Sequence, residues 1–499
     1  MGVGCANGSI DRASVSPQKA LGSTKGGNLM RRSVISLALL GLLAATQGQA
    51  QTPAADGRTE NAAAGRIETA ARLRDAALAS NRAWALLSNL TDTVGPRLAA
   101  SEAEARGRVW AKAELARLGL VNISEEAFPM TAWERGQASA TIIGSNHALA
   151  ITALGTSGAT PKGGLTAPVS CFDNLAAMRA APEAEVKGRI VFIDHRMTVT
   201  QDGSSYGSNG GVRRLGPALA AQKGAAAVMI RSLATDYHRN PHTGSTGFPA
   251  GTAPIPAVAL ALPDAELLAR RCAAGPVTVQ LVSTPVSKPG QSANVSAEIP
   301  GTVPGEVIVL GGHLDSWDLG HGVFDDGAGV AITMAAAAAI KDHIDRTGQR
   351  PRRTIRVVLW GAEEFGVIGG RAYAAAHKDE TIMLAGESDA GADRIYNVGS
   401  KVAEAGLPLF GEIGAVLAPL GIQPEAGNKS GGGADVGPLA ALGAGVLDLG
   451  QDMTRYFDVH HTPDDTLDKV DRKQLDQNVA AWTAAIWLAA TDDRPLRTK

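Results

Sequence analysis

Cysteine is nearly missing from this 499-residue chain: Cys5, Cys171 and Cys272 are all there is. So few cannot build a disulfide scaffold, and none stands among the neighbours that a zinc knuckle or a redox pair requires. An excess of either charge is missing too. Lys and Arg number 47 against 49 Asp and Glu, a formal net charge of -2, which excludes nucleic acid as the expected partner. Internal repeats are absent, and the one block of a single residue type, Ala335–Ala339, has side chains small enough for close helix packing. Long apolar runs are scarce. The run from Val34 to Ala45 is shorter than the roughly 20 residues a bilayer needs, so no membrane span is expected in the mature chain.

What is present is ordinary globular material, 44% hydrophobic with 59 glycines, in a chain long enough for two or three domains. Near the start, Met30-Arg31-Arg32 precedes the apolar run, which exits through Gly48-Gln49-Ala50. Charge, short apolar stretch and small-residue exit together describe a secretory signal peptide; the other reading is a buried N-terminal helix. Residues 1–50 are therefore expected to form a leader, with translation starting at Met30 and the mature protein secreted or periplasmic. Removing it leaves Cys171 and Cys272 as an even pair in an oxidising compartment. A disulfide between them stays open, because sequence does not place their Cα atoms.

Behind the leader, residues 51–64 read as a polar lead-in, and Ile67 to Leu90 as a helix with a stripe of Ile67, Ala71, Leu78, Leu86 and Leu87. A break at Gly95-Pro96 follows, then a second helix opened by the capping-box pattern Ser101-Glu-Ala-Glu104 and closed by Gly119. From 128 to 287 the texture changes to short β-like runs, at 187–193, 225–230, 255–260 and 277–282, with a helix at 216–223. Strand–helix alternation then fills 288–499, with strands at 307–310, 354–360, 381–385 and 445–449. A last helix carries Leu475, Val479, Trp482 and Ile486 at helical spacing. The expected fold class is α/β: a mixed sheet sandwiched by helices, built from 51–127 and 288–499, with a β-rich domain inserted at 128–287.

The residues with chemistry sit where those strands end. His313 and Asp315 follow the first, and Asp325 and Asp326 open the alanine-rich helix behind it. Glu363 and Glu364 follow the second strand, Asp389 the third, and His460 and His461 the fourth. Each is weak alone, since a double histidine is commonly a surface loop and Glu-Glu a solvated helix end. Their shared placement singles them out, because open α/β sheets bind ligands beyond the carboxyl ends of their strands. Imidazole and carboxylate ligands suit zinc, with manganese or cobalt as substitutes. Five protein ligands serve two ions if one carboxylate bridges them, and a further carboxylate is then free to move protons.

Through "HLDSWDLGHGVFDDGAG", "WGAEEFG", "ESDAG" and "HHTPDDT", in that order, the chain resembles the co-catalytic dizinc metallopeptidases, a family of aminopeptidases and carboxypeptidases, and within it the plasma glutamate carboxypeptidase (carboxypeptidase Q) branch. The likeness spans nearly all of the mature chain, including "LTDTVGPRL". The insert, through "KGRIVFI" and "GPALAAQKGAAAVMI", resembles a protease-associated domain. The resemblance implies a zinc-exopeptidase-like (phosphorylase/hydrolase-like) fold, a homodimer, and two zinc ions per chain. His313 and Asp389 would hold one ion and Glu364 and His461 the other, with Asp325 bridging. It implies Glu363 as general base toward a metal-bound hydroxide that attacks dipeptides or short peptides, and Asp315 as the group orienting His313 through its second ring nitrogen.

Between the adjacent histidines, His461 matches the ligand because it directly precedes Thr462-Pro463, leaving His460 for substrate or oxyanion contact. Asp326 is left to satisfy backbone N–H groups at a helix start, and Asp435, in the glycine-rich loop 428–437, to border the substrate pocket. Many relatives carry Asn where this chain has Phe324, so the backbone beside the bridge is expected to be held differently. Two other classes stay open: a glutaminyl cyclase-like single-zinc acyltransferase, and a receptor-like binding protein without catalysis.

Overall fold

Along the strand Glu306–His313 the side chains alternate, Ile308 and Leu310 joining one buried cluster and Val307 and Val309 another. A strand buried on both faces is what a sheet covered by helices requires. The computed structural model describes residues 57–499 apart from Asn146. The expected leader, its start at Met30 and Cys5 lie outside the described residues.

The central sheet has eight strands, numbered here in chain order: β1 (Val121–Glu134), β2 (Val286–Ile299), β3 (Glu306–His313), β4 (Thr354–Trp360), β5 (Thr381–Glu387), β6 (Ile395–Lys401), β7 (Gln423–Pro424) and β8 (Gly445–Gln451). Across the sheet they run β1-β2-β4-β3-β5-β8-β6-β7. The inner four, β4, β3, β5 and β8, are parallel, and antiparallel pairs flank them. Parallel neighbours finish on the same rim: His313 stands opposite Trp360, and Gly311 opposite Glu387. The chain segments leaving β3, β4, β5 and β8 therefore meet at one edge.

Helices Ala328–Thr347 and Arg472–Thr491 cover one face and are buried along most of their length. The stretch Val323–Thr347 is long and apolar enough to cross a membrane, but 94% of its apolar window is buried within the protein, so its hydrophobicity serves the core. Helices Ile368–Ala376 and Gly437–Ala441 cover the other face through Tyr373, Ala374 and Leu439. The single helix expected over 67–90 is two, Gly57–Leu78 and Arg82–Thr93, and the first absorbs most of the expected lead-in. Its buried stripe is Ala70, Leu73 and Ala77, while Leu78 is 40% exposed. Of the expected stripe, Leu86 and Leu87 are buried and Ile67 packs against the same core, so Leu78 is the large residue that departs from it. The capping box forms with a variation: Ser101 Oγ accepts the Glu104 N–H at 3.1 Å, and Glu104 accepts the N–H of Ala100 at 2.8 Å.

Residues 138–283 supply every strand of a second mixed sheet, with Leu165–Phe172, Ile190–Ile193, Ala227–Arg231 and Ala257–Leu260 parallel at its centre. β1 and β2 pair antiparallel from Val121 to Glu134 and run through positions 128 and 287, so the chain leaves the central sheet at Glu134 and re-enters it at Val286. Cys171 and Cys272, with Cα atoms 6.4 Å apart, form a disulfide between a strand of this second sheet and the helix Leu262–Ala274.

Candidate metal centre

His313 closes β3 and points into the rim. Its Nδ1 lies 2.9 Å from the carbonyl of Asp315, so the N–H belongs there and Nε2 keeps its lone pair. That lone pair faces acids, Asp325 Oδ1 at 3.0 Å and Asp389 Oδ1 at 3.5 Å. His461, on the loop after β8, repeats the arrangement. Its Nδ1 lies 3.1 Å from the carbonyl of Thr243, and its Nε2 is 3.0 Å from both Asp325 Oδ2 and Glu364 Oε2. Asp325 thus presents one oxygen to each histidine.

A nitrogen lone pair 3.0 Å from a carboxylate oxygen is repelled unless a positive charge lies between them. Burial opposes charge on both imidazoles, yet Asp389, Asp315 and Asp325 hold His313 well above its ordinary value, and Glu364 and Asp325 push His461 up to about 9. Burial would likewise raise Asp325, but His313 and His461 hold it well below the usual carboxylate range. Asp325 Oδ2 and Glu364 Oε1 are buried without a hydrogen-bond partner; the approach of His461 to Asp325 Oδ2 lacks hydrogen-bond geometry. Two imidazoles that each turn Nδ1 to a carbonyl, facing carboxylates of which Asp325 Oδ2 and Glu364 Oε1 lack a donor, fit a divalent cation better than they fit each other. Among the described residues three overlapping groups bring their ligand atoms close enough together to hold a metal ion: His313 with Asp325 and Glu364, His313 with Asp326 and Asp389, and Asp325 with His460 and His461.

The backbone around these donors is held by further acids. Asp326 accepts the N–H groups of His313 and Gly329, each at 3.0 Å, and so locks the end of β3 to the start of the core helix, the backbone role expected of it. The contact expected of the Asp315 side chain is made by its main chain. Its carboxylate stands 3.6 Å from His313 Nδ1 and accepts instead from the amides of Glu363, at 3.0 Å, and Glu364, at 3.4 Å. Asp315 therefore aligns the loop after β4 with the loop after β3.

Glu363 lines a cleft of about 520 Å³ together with Asp325, Glu364, Asp389, His460 and His461, and no hydrogen bond from the described residues reaches its carboxylate. Burial raises that carboxyl well above its ordinary value, with Asp389 and Glu364 adding to the rise. His460 stacks on His461 with ring centroids 3.4 Å apart, and its Nε2 stays 3.6 Å from Asp325 Oδ2. Burial and the neighbouring His461 hold it well below the ordinary imidazole value, so it faces the cleft neutral. Asp435 differs from expectation. Its loop borders the cleft through Ala434, but its own side chain is fully buried and accepts the N–H of Gly370 at 2.9 Å. A carboxylate beneath the first turn of Ile368–Ala376 offsets the unpaired amides there.

Several residues were not legible as site components. Asp465 accepts from the amides of Val323, at 2.9 Å, Phe324, at 2.6 Å, and Asp325, at 3.3 Å, which is how the backbone beside Asp325 is held in a chain with Phe324. Its presence in "HHTPDDT" was a signal, but nothing in the spacing separates it from Asp464. Arg97, fully buried, donates to the carbonyls of Leu314, His321 and Gly322, which explains a charge inside "LTDTVGPRL". Trp317 donates to Glu364 Oε2 at 2.5 Å. From the second-sheet segment come Thr243, Tyr206 and Arg213, the last donating to the Thr243 carbonyl and the Tyr206 hydroxyl. No sequence signal linked them to the rim.

Residues 294–486 match the family described as Peptidase family M28. Carboxypeptidase Q of Bos taurus is 35% identical over 421 residues, covering 83% of this chain and 86% of that protein. Among solved structures, the peptidase M28 precursor from Shewanella amazonensis SB2B is 40% identical with a TM-score of 0.84, over 87% of this chain and 99% of that one. A zinc aminopeptidase from Bacillus subtilis shares the fold, with a TM-score of 0.57 at 19% identity over 82% of this chain and 95% of that one.

Proposed function

The chain belongs to peptidase family M28, a metallo-exopeptidase family on the evidence of its relatives, and from that premise we propose a dizinc enzyme that hydrolyses dipeptides or short peptides after export from the cytoplasm. The observation that carries the dizinc reading is the split Asp325 carboxylate, one oxygen toward each of two histidines whose Nδ1–H groups are already committed to carbonyls. His313 and Asp389 would hold one ion, Glu364 and His461 the other, and Asp325 both. Bound zinc supplies Lewis acidity, polarising the scissile carbonyl and lowering the pKa of water. Glu363, with a carboxylate free in the cleft, takes the proton of the attacking water and returns it to the leaving amine. Neutral His460 donates to the oxygen on which charge develops. Asp315, Asp326 and Asp465 hold the three loops in register for these contacts.

The second-sheet layer is proposed as a protease-associated-like domain that roofs the cleft and limits substrate length; Tyr206, Arg213 and Ser245 among the cleft walls support this. Export fits the Cys171–Cys272 disulfide, since such bonds persist in oxidising compartments. Two copies of the chain are proposed to form a homodimer, to be tested by light scattering. The function itself is tested by incubating the purified protein with dipeptides and with amino- or carboxyl-blocked peptides, with and without chelator, and weighing the products. Release of single terminal residues, abolished by chelator and restored by zinc, is the expected result. Internal cleavage, or turnover indifferent to chelation, refutes it.

A further inference from the structure

A second cavity of about 280 Å³ adjoins the cleft and shares Asp389 and Met453 with it. Its walls carry Asp202, Glu387, Asp389, Glu425 and Asp448, and no lysine or arginine. Asp389 faces His313, but the partners the other acids find inside the protein are neutral: Asp202 accepts from the hydroxyl of Ser204 at 2.7 Å, Glu425 from that of Ser430 at 2.8 Å, and Asp448 from the amide of Gly432 at 3.2 Å. Glu387 is the most telling. It is only 6% exposed; its Oε2 accepts the Asp435 amide at 2.8 Å, and its Oε1 has no partner at all. A buried carboxylate oxygen without a donor is unfavourable, and such a group is retained where a ligand brings the donor.

We propose that this cavity is a subsite for a cationic side chain, lysine or arginine, of a residue flanking the scissile bond. The inference rests on the peptidase reading and names the substrate class it favours. A peptide held at the rim has its reacting carbonyl beside Asp389, and Asp389 is also the doorway of the second cavity. The space exceeds what a terminal ammonium alone would fill. A long aliphatic stem can lie along Met453 and Tyr396, with its charged head among Glu387, Glu425 and Asp448. A neutral side chain leaves Glu387 Oε1 without a donor.

The test compares kcat/KM for dipeptides carrying Lys, Arg, Nε-acetyl-lysine or Met on either side of the bond. The expected preference for Lys or Arg over Met is about tenfold, the scale of one charge-assisted hydrogen bond. Asp448→Asn and Glu425→Gln keep an acceptor oxygen for their neutral partners and should each lower that ratio by roughly tenfold. Nε-acetyl-lysine should behave as Met does. A preference that survives acetylation owes nothing to the side-chain charge and overturns the proposal, as does a ratio unmoved in both variants. Should no peptide be turned over, calorimetry with agmatine decides: binding that is lost in Asp448→Asn supports the subsite while refuting the peptidase reading, and no binding to the wild-type protein overturns the subsite. Turnover of neutral dipeptides without basic preference refutes the subsite alone.

Discussion

Asp465→Asn is the sharpest test of how the metal centre is held, because it changes one atom of a residue proposed to touch neither ion nor substrate. Asp465 Oδ1 accepts from Val323 and Phe324, and Oδ2 accepts from Asp325. An asparagine keeps one oxygen for the first two amides but turns its NH₂ toward the third, setting donor against donor. Two bonds lose charge assistance, about 1 kcal/mol each, and one of about 1 kcal/mol is lost, so the segment carrying Asp325 is loosened by roughly 3 kcal/mol. Part of that appears as lost metal affinity, expected at about 10–100-fold, the usual effect of removing a partner that orients a ligand. The assay is a chelator titration followed by retained zinc and residual activity. Asp464→Asn is the control, since Asp464 contacts Asn240 at 2.9 Å and leaves the rim alone. Folded Asp465→Asn protein whose zinc affinity stays within about twofold of wild type would refute the reasoning.

Glu363→Gln should lower kcat by about 10²–10⁴-fold while zinc content by metal analysis stays unchanged, because its carboxylate holds no backbone amide in place. His377 sits between Glu126, at 3.0 Å, and Glu380, at 2.8 Å, and these contacts raise its pKa, Glu126 contributing most. A raised folded-state pKa gives stability that is complete below the unfolded value of about 6.5 and fades as pH rises through the folded one. The gap in denaturant midpoint between wild type and His377→Gln should accordingly be widest in mild acid and close in alkali; a gap that widens with pH contradicts the assignment. The disulfide closes a separation of 101 residues, so Cys272→Ser should cost oxidised protein about 2–4 kcal/mol in denaturant unfolding, and added reductant should have no further effect on the variant.

What could be read in the sequence was whatever the parallel sheet itself dictates. His313, Glu364, Asp389 and His461 follow four apolar runs, and once those runs pair in parallel their ends must share a rim. Strand ends were legible for the same reason: β4 spans the expected residues, while β3, β5 and β8 run on by two or three because polar or glycine positions pair there as well. The first helices were not legible, since alanine gives no contrast between a buried and an exposed face and Leu78 gave a misleading one. Asp315 was legible as a site residue but not as to which of its atoms meets His313, and Asp435 only through its loop, its side chain being buried on the Gly370 amide, because a carboxylate can take a backbone amide wherever a loop offers one.

Thr243 shows why the remainder could not be read. Its contribution to His461 is a carbonyl, which every residue type possesses, and it arrives from a segment whose strands belong to another sheet. With the Thr243 N–H donating back to the His461 carbonyl at 3.1 Å, that contact ties the second-sheet layer to the candidate metal centre it is proposed to roof. The tautomer of His461, hence the lone pair available to a cation, depends on an acceptor at Nδ1, and the only one supplied at 3.1 Å among the described residues lies on a loop that Arg213 holds by donating to the same carbonyl. β1 and β2 pair at Glu134 and Val286, so the intervening segment leaves and re-enters at a single point and could be lost without breaking the central sheet. The rim would then keep every metal-binding side chain and still lack the group that orients one of them, which is a physical reason for the two layers to persist together in one chain.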